Sequence, residues 1–132
     1  MKRLILCAAM LGALAAAPAA GSNRAPIEGR WKNGQMEIEI SPCGQNLCGT
    51  VVRASPKQRA KAEKGSGTNL VGARLIREIQ PAGQGTYRAN VFVADRNMHA
   101  RGTIRQVSAN RLDVKGCALL VVCKSSTWDR VR

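Results

Sequence analysis

Five cysteines, one histidine and two alternating glutamates are the groups in this 132-residue chain best suited to chemistry. Cys43 and Cys48 are separated by four residues, and Cys117 and Cys123 by five. Four thiolates could in principle hold a zinc ion. Structural zinc sites, however, mostly place about two to four residues within a pair. The first spacing is at the edge of that range and the second outside it, so no metal is expected. A thioredoxin-type dithiol has about two intervening residues and opens a helix, which neither pair matches. Disulfides are the better reading. Four cysteines allow three connectivities. Each pair flanks a candidate reversal, Cys43-Gly44-Gln45-Asn46-Leu47-Cys48-Gly49 being rich in turn residues. The favoured pairing is therefore Cys43–Cys48 and Cys117–Cys123, cross-strand pairs at hairpin mouths. Loops this short stabilise by about 2 kcal/mol each.

His99 is the only imidazole. A nucleophile needs a base beside it, and the residues that alternate with His99 on the polar face are Arg101 and Arg105. Glu37 and Glu39 share one strand face rather than opposing each other across a substrate, as glycosidic chemistry requires. Gly65-Ser66-Gly67 lacks the lysine and helix context of a phosphate loop. No catalytic residue and no cofactor is expected, and the chain reads as a non-enzyme.

The elements that must carry these residues begin after an export signal. Residues 1–20 are a basic start at Lys2-Arg3, an apolar run from Leu4 to Ala17 and an Ala17-Pro18-Ala19 cleavage-like end. The run is shorter than the ~20 residues a spanning helix needs, and Cys7 falls inside it. Residues 1–20 are read as a cleaved secretory signal peptide, 21–26 as a flexible lead-in and 27–132 as one β-barrel domain. No transmembrane segment is expected in the mature chain, which is assigned to the periplasm or the extracellular medium. Disulfides belong in such a compartment.

Beyond the lead-in, period-two alternation dominates. Met36, Ile38 and Ile40 alternate with Glu37 and Glu39 until Ser41-Pro42, where the strand is expected to end. Gly49 to Ala54 is a second strand, and Leu70 to Gln80 a third with Val71, Ala73, Leu75 and Ile79 on one face. Thr86 to Ala94 places Tyr87, Ala89, Val91 and Val93 together, and Met98 to Val107 places Met98, Ala100, Gly102 and Ile104 against His99, Arg101, Thr103 and Arg105. Arg111 to Lys115, Leu119 to Cys123 and Ser126 to Val131 complete about eight short strands. Turn residues separate them at close spacing, the pattern of an antiparallel barrel or sandwich and not of βα units. At most one short helix fits, in the 55–64 loop, with Pro56 to open it and Gly65 to close it.

Charge is the other strong signal. Removing residues 1–20 takes away Lys2 and Arg3 and leaves 19 basic against 8 acidic residues, a formal +11. Arg53, Lys57, Arg59, Lys61 and Lys64 concentrate in one segment, a candidate contact for a polyanion. Nucleic acid is not expected, because stacking would need several exposed aromatic residues and aromatics make up only 3% of the chain.

Gly29-Arg30-Trp31 stands before the first alternating strand and Trp128-Asp129-Arg130 at the last. In a closed up-and-down barrel the two ends of the chain are neighbours. A tryptophan from one can plug the base while an arginine from the other lies across its ring. Together with Ile38-Glu39-Ile40-Ser41-Pro42-Cys43-Gly44, Leu47-Cys48-Gly49, Gly85-Thr86-Tyr87, Leu112 to Cys117 and Cys123 to Arg130, these residues resemble an uncharacterised bacterial domain-of-unknown-function family of small exported proteins. The resemblance covers nearly the whole mature domain. It implies a single lipocalin-like (calycin) all-β barrel, with Gly29, Trp31, Trp128 and Arg130 as barrel-closure residues.

Two functions are compatible with this reading. In the first, aliphatic inward faces form a cup for a small apolar or amphipathic ligand, contacted by Tyr87 or by basic rim residues. In the second, the barrel is solid and the basic loop 55–64 docks on an anionic envelope component.

Overall fold

Alternation of apolar and polar side chains dictates a sheet with one dry face, which must be buried either against a second sheet or by closing on itself. The computed structural model describes residues 24–118 and 122–132, together with Gly12. It is a closed antiparallel barrel of eight strands in sequential order. These are β1 (Gly29–Asn33), β2 (Met36–Cys43), β3 (Asn46–Arg53), β4 (Arg74–Pro81), β5 (Thr86–Val93), β6 (Met98–Ser108), β7 (Arg111–Ala118) and β8 (Val122–Arg130). One helix, α1 (Pro56–Ser66), joins β3 to β4. The expected all-β barrel is the observed fold. Apart from Gly12, the segment read as a signal lies outside the described residues, as do residues 21–23 of the lead-in and residues 119–121.

In an up-and-down barrel, connections alternate between the two ends. The β1–β2 turn, α1, the β5–β6 turn and the β7–β8 connection belong to one end, called here the mouth. The β2–β3, β4–β5 and β6–β7 turns and both ends of the described domain belong to the other, the base. Below the middle the barrel is solid. Ile27, Trp31, Ile38, Ile40, Val51, Ile79, Ile104 and Leu112 are at most 2% exposed, and the aliphatic filling is what a composition poor in aromatics demands.

The barrel closes through a short ladder, in which Trp31 pairs with Arg130 and Lys32 with Asp129. Side chains strengthen this seam. Arg130 lies over the Trp31 ring, 4.2 Å from its centroid. Its Nη1 donates to the Glu28 carbonyl (3.0 Å), its Nη2 to the Pro26 carbonyl (2.7 Å) and its Nε to the Ala109 carbonyl (2.9 Å). The indole Nε1 donates to the Ile27 carbonyl at 2.9 Å. Gly29 is required beneath this arrangement: its φ is +129°, and a Cβ there would stand 2.8 Å from Arg130 Nη1. Trp31 and Arg130 thus do what their positions in the chain imply. Trp128 does not join them and lies in the wall of the mouth cavity described below.

Four expectations are corrected. Gly29-Arg30-Trp31 does not precede the first strand but forms it, paired with Ile40, Glu39 and Ile38; five residues are too few for alternation to stand out. The β2 strand runs through Pro42 to Cys43. It has outrun β1 by then, since β1 begins opposite Ile40, so the missing proline N–H interrupts no ladder on that side. The third expected strand begins only at Arg74, and its inward residues are Ile76 and Ile79. Glu78 adopts φ +52° where the register between β4 and β5 shifts, so a bulge puts inward residues three apart instead of two. Cys123 and Ser126 to Arg130 do not belong to two separate strands but to the single strand β8, while residues 119–121 of the expected seventh strand lie outside the described residues.

Helix α1 also differs from expectation. It has 11 residues, and Ser55 caps it in a reciprocal capping box with Gln58. The closing glycine is Gly67, with φ +68° and its N–H donating to Glu63 at 2.7 Å, and not Gly65. Gly65 serves packing instead, since a Cβ on it would stand 2.2 Å from the Asp95 carbonyl oxygen. The helix therefore rests directly on the β5–β6 turn.

Both disulfides join the expected partners, Cys43–Cys48 and Cys117–Cys123. Cys117 and Cys123 face each other across β7 and β8. Cys48 stands opposite Ser41, so its bond to Cys43 runs diagonally across the β2–β3 hairpin. They place the chain in a non-cytoplasmic setting.

Three outcomes follow for stability. Gly29→Ala should lower stability by about 2 kcal/mol through backbone strain and displacement of Arg130, a fall of roughly 10 °C in thermal denaturation. Arg130→Lys should be comparably harmful, because an ammonium cannot reproduce three fixed guanidinium bonds. Replacing either cysteine pair by serine should remove about 2 kcal/mol, and the two losses should add, because the pairs lie in separate hairpins at opposite ends.

Candidate functional site

The upper barrel is built from small inward residues. On β6 these are Ala100 and Gly102, and on β7 Gly116, which stands opposite Gly102 in register. Gly102 has no room for a side chain, since a Cβ would meet Val91 Cγ2 at 2.8 Å. Gly116 does have room: a Cβ there would be 3.9 Å from its nearest neighbour, Ala100 Cβ. Where larger residues would fill the barrel, the space is open. The result is a cavity of about 270 Å³ at the mouth, walled chiefly by Met36, Ile38, Ile76, Val91, Val114 and Trp128. Its size lies just below the usual range for ligand sites, about 300–1,000 Å³, and suits a small molecule. Trp128 is oriented by its own strand, with Nε1 donating to Ser126 Oγ at 2.9 Å.

A second hollow of about 380 Å³ lies beneath α1 and shares Met36, Leu75, Val91, Phe92, Val93 and Asp95 with the first. The helix roofs this side thinly. Its inward face carries Gln58, Ala62 and Gly65, and Ala62 is its one buried residue. Lys61 reaches the edge of the hollow, and Arg96, Lys124 and Asp95 line the rim of the cavity. The mouth is thus an apolar recess with three cations and one carboxylate around its opening.

The residues anticipated as ligand contacts divide sharply. Lys61 borders the recess. Lys57, Arg59 and Lys64 lie on the exposed face of α1. Arg53 sits at a separate hollow near the start of α1, with Lys32, Glu37 and Ser55. Tyr87 is 8% exposed and packed in the core, and it is not among the residues that line the recess. The alternation that predicted Tyr87 to point inward was right, but its height in the barrel was not readable. Arg96 and Lys124 had a weak sequence signal: each stands beside a turn, and their shared end of the barrel follows only from topology.

The groups that could do chemistry do not converge. His99 is exposed outside the barrel, its ring 5.0 Å from that of Phe92. Glu39 pairs with Arg30 at 3.9 Å, and Glu37 borders the hollow shared with Arg53. Among the described residues no group of three or more His, Cys, Asp or Glu side chains is placed to hold a metal.

Comparison with known proteins agrees with this architecture. No curated protein matches the chain. Among solved structures, HP1028 from Helicobacter pylori, described as belonging to the lipocalin family, superposes with a TM-score of 0.60 at 13% identity. The match covers 80% of this chain and 82% of that one, and at such low identity it establishes the fold alone. Residues 29–130 match the family described as "Uncharacterized protein conserved in bacteria (DUF2147)", a span that begins at the glycine under the closure and ends at its arginine. The chain belongs to that family.

Proposed function

We propose that this protein is a non-enzymatic carrier that holds one small amphipathic molecule in the mouth of the barrel, apolar part inward and anionic group outward. The single observation that carries this reading is the contrast between the two ends. The base is sealed by Trp31 and Arg130, whereas the mouth keeps an apolar recess open where Ala100 and Gly116 leave space. An empty apolar hollow forfeits dispersion contacts and stability. Retaining one beside an otherwise close-packed core is reasonable if something occupies it.

Orientation follows from charge. The recess offers aliphatic walls and the Trp128 ring, suited to a short chain or a flat ring system. Lys61, Arg96 and Lys124 at the opening favour a carboxylate, sulfonate or phosphate head, and Asp95 disfavours a second negative charge nearby. Export by the 1–20 segment to the periplasm or beyond fits this role, and the disulfides support a compartment outside the cytoplasm.

The test uses the disulfide-bonded protein and 1-anilinonaphthalene-8-sulfonate, an apolar ring system carrying one sulfonate. Binding of micromolar order is expected, equivalent to about −8 kcal/mol, with displacement by medium-chain fatty acids. Gly116→Leu should fill the recess and weaken binding at least about tenfold while leaving thermal stability unchanged or raised. Lys124→Gln should weaken it only a few-fold, because the rim is exposed. Absence of saturable binding, or binding that Gly116→Leu leaves intact, would overturn the reading.

A further inference from the structure

Charge at the mouth is one-sided. The outward face of α1 presents Lys57, Arg59, Lys61 and Lys64, all exposed, against the single acid Glu63. Lys57, Lys61 and Lys64 follow one another at helical spacing and form a stripe. Across the opening stand Arg96 on the β5–β6 turn and Lys124 on β8, both exposed. Among the described residues, the ion pairs are Arg30–Glu39 and Arg111–Asp129, and neither includes a cation of the mouth. Six cations with no carboxylate partner within 4 Å therefore ring one end of the molecule.

The same end carries exposed apolar side chains. Val71, on the connection from α1 to β4, is 39% exposed, and Met98, at the start of β6, is 36% exposed. A soluble surface has no need to place bare aliphatic groups among unpaired cations. A bilayer interface rewards both, since anionic headgroups attract the cations and the boundary with the acyl chains takes up the apolar groups. Helix α1 is suited to lie flat there. It is capped at both ends and so keeps its shape without a deep apolar anchor.

We infer that the mouth end is a docking surface for an anionic lipid bilayer, with α1 lying along the headgroups, Arg96 and Lys124 contacting them from the opposite rim, and Val71 and Met98 entering the interface. The barrel axis then stands roughly upright on the membrane with its opening against the lipid. Docking does not require occupancy of the recess, although Lys61, Arg96 and Lys124 belong to both, and a protein whose recess never fills would still dock. A bilayer is favoured over a soluble polyanion because the cations encircle an opening bordered by apolar groups. Along the barrel wall, Arg88, Arg101, Arg105 and Lys115 form a second basic array on β5, β6 and β7, whose one exposed large apolar neighbour, Val107, lies at the base end of β6, away from the mouth.

Flotation with phosphatidylethanolamine vesicles, with and without about a third phosphatidylglycerol, tests the assignment, at low salt and at roughly 0.5 M salt where charge interactions are screened. The protein should float only with the anionic vesicles and mainly at low salt. The variant Lys57→Gln, Arg59→Gln, Lys61→Gln, Lys64→Gln keeps helix-forming residues and should lose at least about a hundredfold in vesicle affinity, each cation near the surface being worth roughly fivefold. Should it misfold by circular dichroism, Arg96→Gln with Lys124→Gln provides the independent reading, with an expected loss of about twenty-five-fold. Removing the four wall cations Arg88, Arg101, Arg105 and Lys115 in the same way should cost much less than removing the four on α1. Equal losses from wall and helix would mean undirected attraction to polyanions and would overturn the inference. So would flotation with neutral vesicles alone, or no flotation at low salt.

Discussion

One guanidinium holds the two ends of this barrel together. An eight-stranded sheet can close only if β1 and β8 meet, yet their ladder spans just two residue pairs. The shortfall is met by Arg130, which bonds three carbonyls from two different segments and covers the ring of Trp31. Each of these contacts uses a different property of the same group: planarity for the ring, and a fixed fork of donors for the carbonyls. Lysine has neither. The indole is fixed in turn by the Ile27 carbonyl. The seam is therefore a set of mutually positioned polar groups around one apolar plate.

A sealed base also explains how the other end can stay open. The buried lower layers supply the stability of the domain, and the upper barrel is free to carry glycine and alanine at inward positions. Gly102 and Gly116 lie side by side but differ in consequence. At Gly102 the Val91 side chain already occupies the volume, whereas at Gly116 nothing does. The recess is thus local, set by a few positions and not by a wide barrel. Helix α1 extends the same logic, because Gln58, Ala62 and the bare backbone of Gly65 settle it on the barrel with Ala62 as its one buried side chain. A helix held so lightly contributes little to the core, which leaves its cationic face free to be selected for something else.

Much of this was legible in the residues. Strict alternation at Met36–Ile40 and Met98–Ile104 marks β2 and β6 without ambiguity, and the Trp31–Arg130 contact follows from placing a tryptophan and an arginine at the two ends of a closed sheet. The cysteine pairs are readable because each brackets a reversal. What could not be read depends on distance between strands. A bulge at Glu78 changes which β4 residues face inward, and nothing in Arg74–Pro81 announces a positive φ at a glutamate. The role of Gly65 depends on the Asp95 carbonyl, some thirty residues away, so a packing glycine was read as a cap. Tyr87 and Val91 alternate identically, yet one is core and the other lines the recess. Periodicity gives the side of a sheet and not the height.

The recess and the basic collar occupy the same end, and this is not a requirement of the fold. Alternating connections would allow a basic helix at either end, and a filled barrel would be the more stable one. Sharing one end couples the two features electrostatically. A ligand with an apolar body and an anionic head reduces the repulsion among Lys61, Arg96 and Lys124 when it is seated, and so does an anionic surface pressed against them. Either one offsets the same electrostatic strain, so each weakens the need for the other. A seated anionic ligand should make the mouth a poorer partner for a charged bilayer, and a bilayer should make it a poorer holder of that ligand. By linkage the two effects are equal in free energy, so loading and release would be coupled to whether the barrel stands on a membrane, without any change in its shape.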